Sequence, residues 1–347
     1  MITSETVYLV AEEVGQTPDE AYAKVVHELS QALRARSSVI VHLTPPRPEA
    51  GTARRGAGRM RAIANRQLWS AIRRARPGAV VYLSRSSTTL AGLARSRILG
   101  WMGWRARTVM IGLQPRPITG NGRLLARLLW PDLLLVTTSA EADQARRLGA
   151  RADVIATGVD LDRFRPPREG EKSSLRRKWG IDPDARVLLH VGHLTSGRNL
   201  EDLAPLAGEP RTRLIVVASS QRDPESDSLQ KMLEDAGATV IRGYTPEVDE
   251  IYRLADCYVF PTRSPDHAIA MPLSVLEAMA TGLPVVTTRF GALGERFADV
   301  PGMELVDDRG QISGAIQRVM SGPKETRSAA GAFTWDSVAA RVAAACG

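Results

Sequence analysis

"AMPLSVLEAMATGLPVV" (270–286) joins an apolar helix to an apolar strand across one glycine. Pro272 has no amide proton to lose at a helix start, and Gly282 suits the stop, so the stretch reads as a helix opened by the one and closed by the other. "LPVV" then starts a run with no polar alternation, the pattern of a strand covered on both faces. A helix feeding such a strand is half of a βαβ unit, and the same unit recurs on both sides. Strands are predicted at "RVLLHV" (186–191), "RLIVVA" (213–218), "ATVIR" (238–242), "CYVFP" (257–261) and "PVVTT" (284–288). An equivalent series comes earlier at "TVYLVA" (6–11), "SVIVHL" (38–43), "AVVYLS" (79–84), "TVMIGL" (108–113) and "LLLVTT" (133–138). Helical patterns separate the runs. The expectation is an α/β protein with two parallel, doubly wound sheets.

A chain of 347 residues exceeds what one core usually supports. "GVDLDRFRPPREGEK" (158–172), rich in Pro and charge, reads as the linker. We place an N-terminal domain at 1–165, a second at 166–330, and a closing helix within 331–347 that packs back towards the first. Thr334 is the expected cap of that helix. Ligands of open α/β sheets bind beyond the carboxyl ends of the strands. The loops starting at Gly192, Ser219, Gly243, Thr262 and Thr288 are therefore expected to gather on one edge, facing the first domain across a cleft.

Several classes are excluded by composition. Glu5, Glu12, Glu13, Asp19 and Glu20 interrupt the first twenty residues, unlike a signal peptide, and no apolar window is long enough to cross a bilayer. Cys257 and Cys346 are too few for a disulfide framework or a metal site, so a cytoplasmic protein is expected. The net charge of +8 hides an asymmetry: residues 50–131 hold sixteen Arg and no Lys, Asp or Glu. Trp69, Trp101, Trp104 and Trp130 lie in the same block. Arg interleaved with Trp and Leu suits an anionic membrane surface, so a peripheral location on the inner face of a membrane is expected. The absence of RNA-binding motifs argues against nucleic acid.

Two stretches carry the chemistry. "GHLTSGRN" (192–199) follows a strand and precedes a helix. Its Gly192 permits close backbone approach, and Arg198 brings a permanent charge that suits a phosphate or diphosphate. His193 is able to donate to the same anion. In the opening stretch, the Leu273, Ser274 and Val275 amides lie free at a helix start. Glu277 would repel a phosphate, but a carboxylate there can accept from vicinal hydroxyls, as acidic residues do with ribose. Phosphate on the amides and ribose on the acid describe a nucleotide. His27, His42 and His190 read as surface or structural residues, with His42 a lesser candidate for the cleft.

Together, "TGVDLDRFRPP", "VGHL…R", "GYTPEVDEIYRLADCYVFPT", "PLSVLEAMATGLPVVTT" and "FTWDSVAARV" resemble, in order, parts of glycosyltransferase family 4 over residues 152–345. That resemblance implies a GT-B pair of Rossmann-like domains and retaining transfer from a UDP- or GDP-sugar. It implies no metal and no other cofactor. The acceptor expected with the basic block is lipid-linked or otherwise anionic. By position, Glu277 matches the second Glu of the family's paired-Glu motif, and Leu273 and Ser274 match amides on the phosphates. Arg198 and His193 fall in the diphosphate clamp, with Gly192 and Thr195 in the same loop. Tyr244 and Thr245 fall where the backbone meets the base. The sequence departs where the first Glu should stand, at Ile269, and where a Gly is usual, at Pro272. Asp266 and His267 are near enough to replace the missing acid. Gln114 stands near the family's usual His, and "EEVGQT" (12–17) replaces a Gly-Gly loop. The alternative left open is a non-catalytic GT-B-like protein that binds a nucleotide or a partner.

Overall fold

The computed structural model describes residues 6–12, 21–43, 66–85, 87–104, 106–120, 122–220 and 223–347. Within them, twelve strands form two parallel six-stranded sheets. The first has the order β2-β1-β3-β4-β5-β6, with β1 at Val7–Ala11, β2 at Val39–Leu43 and β3 at Ala79–Ser84. β4 is Arg107–Gly112, β5 Leu133–Val136 and β6 Ala152–Val154. Leu9 lies opposite both Val41 and Val81, which sets β1 between its neighbours. The second sheet has the order β12-β11-β10-β7-β8-β9. Its strands are β7 (Arg186–Gly192), β8 (Thr212–Ala218), β9 (Thr239–Arg242), β10 (Cys257–Phe260), β11 (Val285–Thr288) and β12 (Met303–Val306). Each sheet has its own buried aliphatic core. Order reverses between β7 and β10, the place where a doubly wound sheet leaves room for a ligand.

The chain divides into two compact units, Met1–Thr157 with Trp335–Gly347, and Gly158–Thr334. The first boundary falls before 165, because the linker is bound into the second unit. Val159 N–H donates to Phe333 O at 2.8 Å, and the Phe164 ring meets Tyr252 edge-on at 5.5 Å. Arg327 Nη1 donates to Phe164 O at 3.0 Å. The same bridge moves residues 331–334 out of the tail, since Val159 pairs with Thr334. The closing helix, Trp335–Cys346, packs on the helix Ala21–Arg34 of the first unit, where Arg36 Nε reaches Asp336 Oδ1 at 3.0 Å.

Among the block's described Arg and Trp residues, Arg95 and Trp130 are interior. Arg95 Nε stands 2.7 Å from Glu12 Oε1, both side chains 1% exposed, and it also donates to Tyr82 Oη at 2.8 Å. Trp130 is buried and donates to Leu148 O at 3.1 Å. Elsewhere in this unit, Glu141 is buried in the first turn of the helix Ser139–Arg147. Its Oε1 accepts from Thr88 Oγ1 at 2.6 Å, and burial pushes its carboxyl up to about 7 against the hydrogen bonds from Thr88 and the Arg116 backbone.

A raised folded-state pKa gives stability that is full below the unfolded value near 4.5 and is lost as pH rises through about 7. Urea unfolding should therefore show the chain losing stability between those values, by an amount on the order of 3 kcal/mol. Glu141→Gln keeps the Thr88 contact and should flatten that slope. An unchanged slope in the variant would remove Glu141 as its cause.

Candidate functional site

The site is built where β7 and β10 end. β7 runs apolar and buried from Val187 to His190 and finishes at Gly192. The chain then turns through Thr195 into a short 3-10 turn, Ser196–Arg198, and Asn199 in left-handed backbone (φ 56°) carries it into the next turn. This turn folds the Arg198 side chain back over the strand end. A Cβ on Gly192 would collide with Arg198 Nη1, so glycine is what lets the guanidinium lie there. Gly197 plays the same part for the His267 ring, which occupies the space its Cβ would need.

Arg198 is only 6% exposed, and its Nε donates to His267 O at 3.1 Å. No carboxylate among the described residues pairs with it. Burial pulls its guanidinium down to about 10, and nearby Tyr258 offsets that only in part. A buried cation is costly unless an anion compensates it, so the arrangement stores a demand for negative charge. Beneath it, His190 is fully buried, with Nδ1 2.9 Å from Val259 O, and burial followed by the Arg198 charge drives it down to about 3. His190 is therefore neutral and adds no second charge.

The helix Leu273–Ala280 supplies the other half. Pro272 is its N-cap, with extended backbone (ψ 127°), rather than its first helical residue. Counted from Leu273, Glu277 still lies in the second turn, and no acid stands in the first. The Leu273, Ser274 and Val275 amides meet no acceptor among the described residues, leaving the anion-binding end of the helix unoccupied by any carboxylate. Tyr258 ties the two halves: its hydroxyl donates to Val191 O at 3.2 Å and also meets the Ser274 side chain.

Glu277 is buried at 6% exposure, and Tyr252 Oη lies 2.9 Å from its Oε2. Tyr252 is itself pushed well above its usual range, first by burial and then by the Glu277 charge. Aromatic rings run behind the site in a column, with His190 stacked on Tyr258 at 6.2 Å and Tyr258 on Tyr252 at 5.9 Å. Tyr252, Tyr258 and His190 were not among the sequence's ligand candidates. Only the fold brings a helix residue and two strand residues from distant segments into one column.

Among the described residues, three buried polar atoms here find no hydrogen-bond partner: His190 Nε2, Thr195 Oγ1 and Thr262 Oγ1. All three stand on β7, in the loop after it or in the loop after β10. Buried polar atoms are nearly always satisfied, so this grouping at a strand-order reversal points to a polar ligand.

The remaining predicted residues are placed as follows. His193 Nδ1 lies 2.6 Å from Ser219 Oγ, at the ends of adjacent strands β7 and β8. Thr245 Oγ1 donates to Gly243 O at 3.3 Å, and Tyr244 is half exposed. Both follow β9, on the same edge but two strands from β7. Ile269 is buried among apolar residues, and Asp266 is exposed, its N–H on Ser264 Oγ at 3.4 Å. His267 contributes its carbonyl to Arg198. One loop amide is already taken, since Ser196 N–H donates to Glu225 Oε1 at 2.8 Å. A hydrogen bond from the Ser196 side chain, followed by this amide, holds the Glu225 carboxyl below its usual range. Among the described residues no group of three His, Cys, Asp or Glu side chains has a metal-binding arrangement.

Residues 185–321 match the family model described as glycosyl transferases group 1. A D-inositol 3-phosphate glycosyltransferase 2 of Catenulispora acidiphila is 31% identical over 241 residues, covering 61% of this chain and 55% of that protein. A D-inositol 3-phosphate glycosyltransferase of Actinosynnema mirum is 32% identical over 247 residues, covering 62% of this chain and 57% of that protein. The chain spans about half the length of these curated relatives. Among solved structures, a sucrose-phosphate synthase from Thermosynechococcus elongatus superposes with a TM-score of 0.73 at 17% identity, covering 97% of both chains. Anabaena HepE, crystallised with UDP and glucose, gives 0.68 at 14% identity over 97% of this chain and 98% of that one. The second unit thus contains the stretch similar to the group 1 glycosyl transferases, and the two sheets have the two-domain fold of these solved structures, called GT-B.

Arg198→Met tests the electrostatic reading of this site. Removing an uncompensated buried charge should raise the thermal midpoint of the ligand-free chain. It should also weaken binding of UDP or GDP by about tenfold to a hundredfold, the value of a charge-assisted hydrogen bond to an anion. A lower midpoint with unchanged affinity would show that Arg198 is structural.

Proposed function

We propose that the protein is a retaining glycosyltransferase that takes a sugar from a UDP- or GDP-sugar and passes it to a lipid-linked or other anionic acceptor. The observation that carries this is the buried Arg198 without a carboxylate, set at the β7/β10 reversal beside the open amides of Leu273–Val275. The diphosphate would lie between them. As the sugar–phosphate bond ionises, charge grows on the leaving oxygen, and a preorganised guanidinium and helix dipole stabilise it more than they stabilise the ground state. Glu277 would accept from the ribose hydroxyls, with Tyr252 fixing its orientation. Gly192 and Thr195 would line the phosphates, His193 would donate to them, and Tyr244 and Thr245 would meet the base. The charge stabilisation offered by Arg198 and the amides is of the kind a metal would otherwise supply, so the transfer is proposed to be metal-independent.

For the acceptor, the named relatives act on an inositol phosphate, an anionic polyol. The first unit has the complementary charge. On its surface Trp101 and Trp104 are 69% and 84% exposed, and Leu124, Leu125 and Leu128 are exposed on the helix Gly122–Leu129, which also carries Arg123 and Arg127. Exposed Trp and Leu with Arg is the composition of a bilayer-docking face, and no helix among the described residues is long and apolar enough to cross the membrane. The reading is thus of a peripheral enzyme on the cytoplasmic face.

A second reading, a non-catalytic nucleotide- or partner-binding relative, draws on one observation. Ile269 is buried and apolar where the family's sugar-contacting acid is expected.

Nucleotide release from UDP- and GDP-sugars, with D-inositol 3-phosphate and with a lipid extract as acceptors, separates the two. Turnover that survives a chelator and retains anomeric configuration by NMR is expected. Tight nucleotide binding without turnover on any pair would favour the second reading. Glu277→Ala should cost nucleotide affinity about tenfold or more, as loss of a buried acceptor does; unchanged affinity would remove it from the ribose site.

A further inference from the structure

The first unit has a cavity of about 730 Å³ at the amino edge of its sheet, opposite the edge where doubly wound folds bind substrates. Its position is fixed by Thr6, Gly78 and Ala106, which immediately precede β1, β3 and β4. Ile72, Met102 and Ala106 give it an apolar floor, and Arg73, Arg76 and Trp104 rise around it. The volume falls within the range of small-molecule sites, roughly 300–1,000 Å³.

Two features separate this cavity from an ordinary surface dimple. Arg73 and Arg76 pair with no carboxylate among the described residues, so both guanidinium groups remain available for bidentate contact with phosphate. Arg76 and Trp104 both hold left-handed backbone, with φ of 45° and 63°. Left-handed backbone is unfavourable for a residue with a Cβ, and strain of this kind gathers at functional positions. Here two of the five non-glycine cases in the described chain stand on one rim. Trp104 lines the cavity and is 84% exposed.

We propose that this cavity binds the phosphate-bearing headgroup of a single anionic lipid, with Arg73 and Arg76 on the phosphate and Trp104 and the floor on the adjoining glycerol and acyl carbons. The proposal rests on the reading that this unit docks on a membrane and deepens it, from a charged face to a defined site. Charge complementarity selects the occupant: residues 50–131 contain no acid to repel a phosphate. The apolar floor beside the two Arg favours an amphiphile over a free phosphate.

The test compares two double variants with equal loss of charge, Arg73→Gln/Arg76→Gln at the cavity and Arg123→Gln/Arg127→Gln on the exposed helix. Calorimetric titration with monomeric dihexanoyl phosphatidic acid should show one site, weakened about tenfold or more by the cavity variant and unaffected by the helix variant. Inorganic phosphate should bind far more weakly. Equal losses in the two variants, or inorganic phosphate binding as well as the lipid, would overturn the proposal. Flotation with phosphatidylcholine vesicles, with and without phosphatidic acid, keeps the two readings apart. Vesicle binding without a one-site titration would sink the cavity and leave membrane docking standing. A one-site titration without flotation would do the reverse.

Discussion

A guanidinium held away from water with no carboxylate beside it is an expensive object, and the second unit is arranged around one. Gly192 lacks a side chain so that Arg198 can fold over the end of β7. Asn199 turns left-handed to send the chain onward after it, and His267 gives up a carbonyl to it. His190 stays neutral beneath it. Tyr258 links the strand end to Ser274 in the first turn of the helix Leu273–Ala280. Most proteins would settle such a charge with an acid. Leaving it unsettled makes sense if the missing anion arrives with a ligand, and a diphosphate has the charge and the oxygen geometry for it.

The fold was legible because its central strands are unbroken apolar runs, as strands covered on both faces must be. β6 and β12 escaped notice for the converse reason. They are edge strands of three and four residues, "ADV" and "MELV", each with an acid inside, so no apolar run exists to read. The domain boundary was displaced because a Pro- and charge-rich composition marks a connection without saying which side holds it. Phe164 and Val159 belong to the second unit through contacts with Tyr252 and Phe333, far away in sequence.

The placement of Gly192, Arg198 and the helix start at Leu273 was legible in the sequence. Glycine at a strand end, an Arg within one turn and an amide-rich helix start are local features with local causes. Glu277 was readable as an acid near a helix start, but Tyr252, which meets its carboxylate at 2.9 Å, stands 25 residues earlier, beyond any local pattern. Nothing local announces Tyr252 or Tyr258, because their partnership with Glu277 and Ser274 is tertiary. In the basic block, composition likewise could not tell surface from interior. Arg95 and Trp130 turn inward to Glu12 and Leu148, while Trp101 and Trp104 stay out.

The most direct measurement is a calorimetric comparison of uridine, UMP and UDP, with the guanosine series beside them. If the second unit is organised around an unpaired cation, affinity should rise steeply as phosphates are added and peak at the diphosphate. Most of that gain should vanish in Arg198→Met. Equal affinity for nucleoside and diphosphate in both series, or a phosphate gain that survives Arg198→Met, would contradict the account.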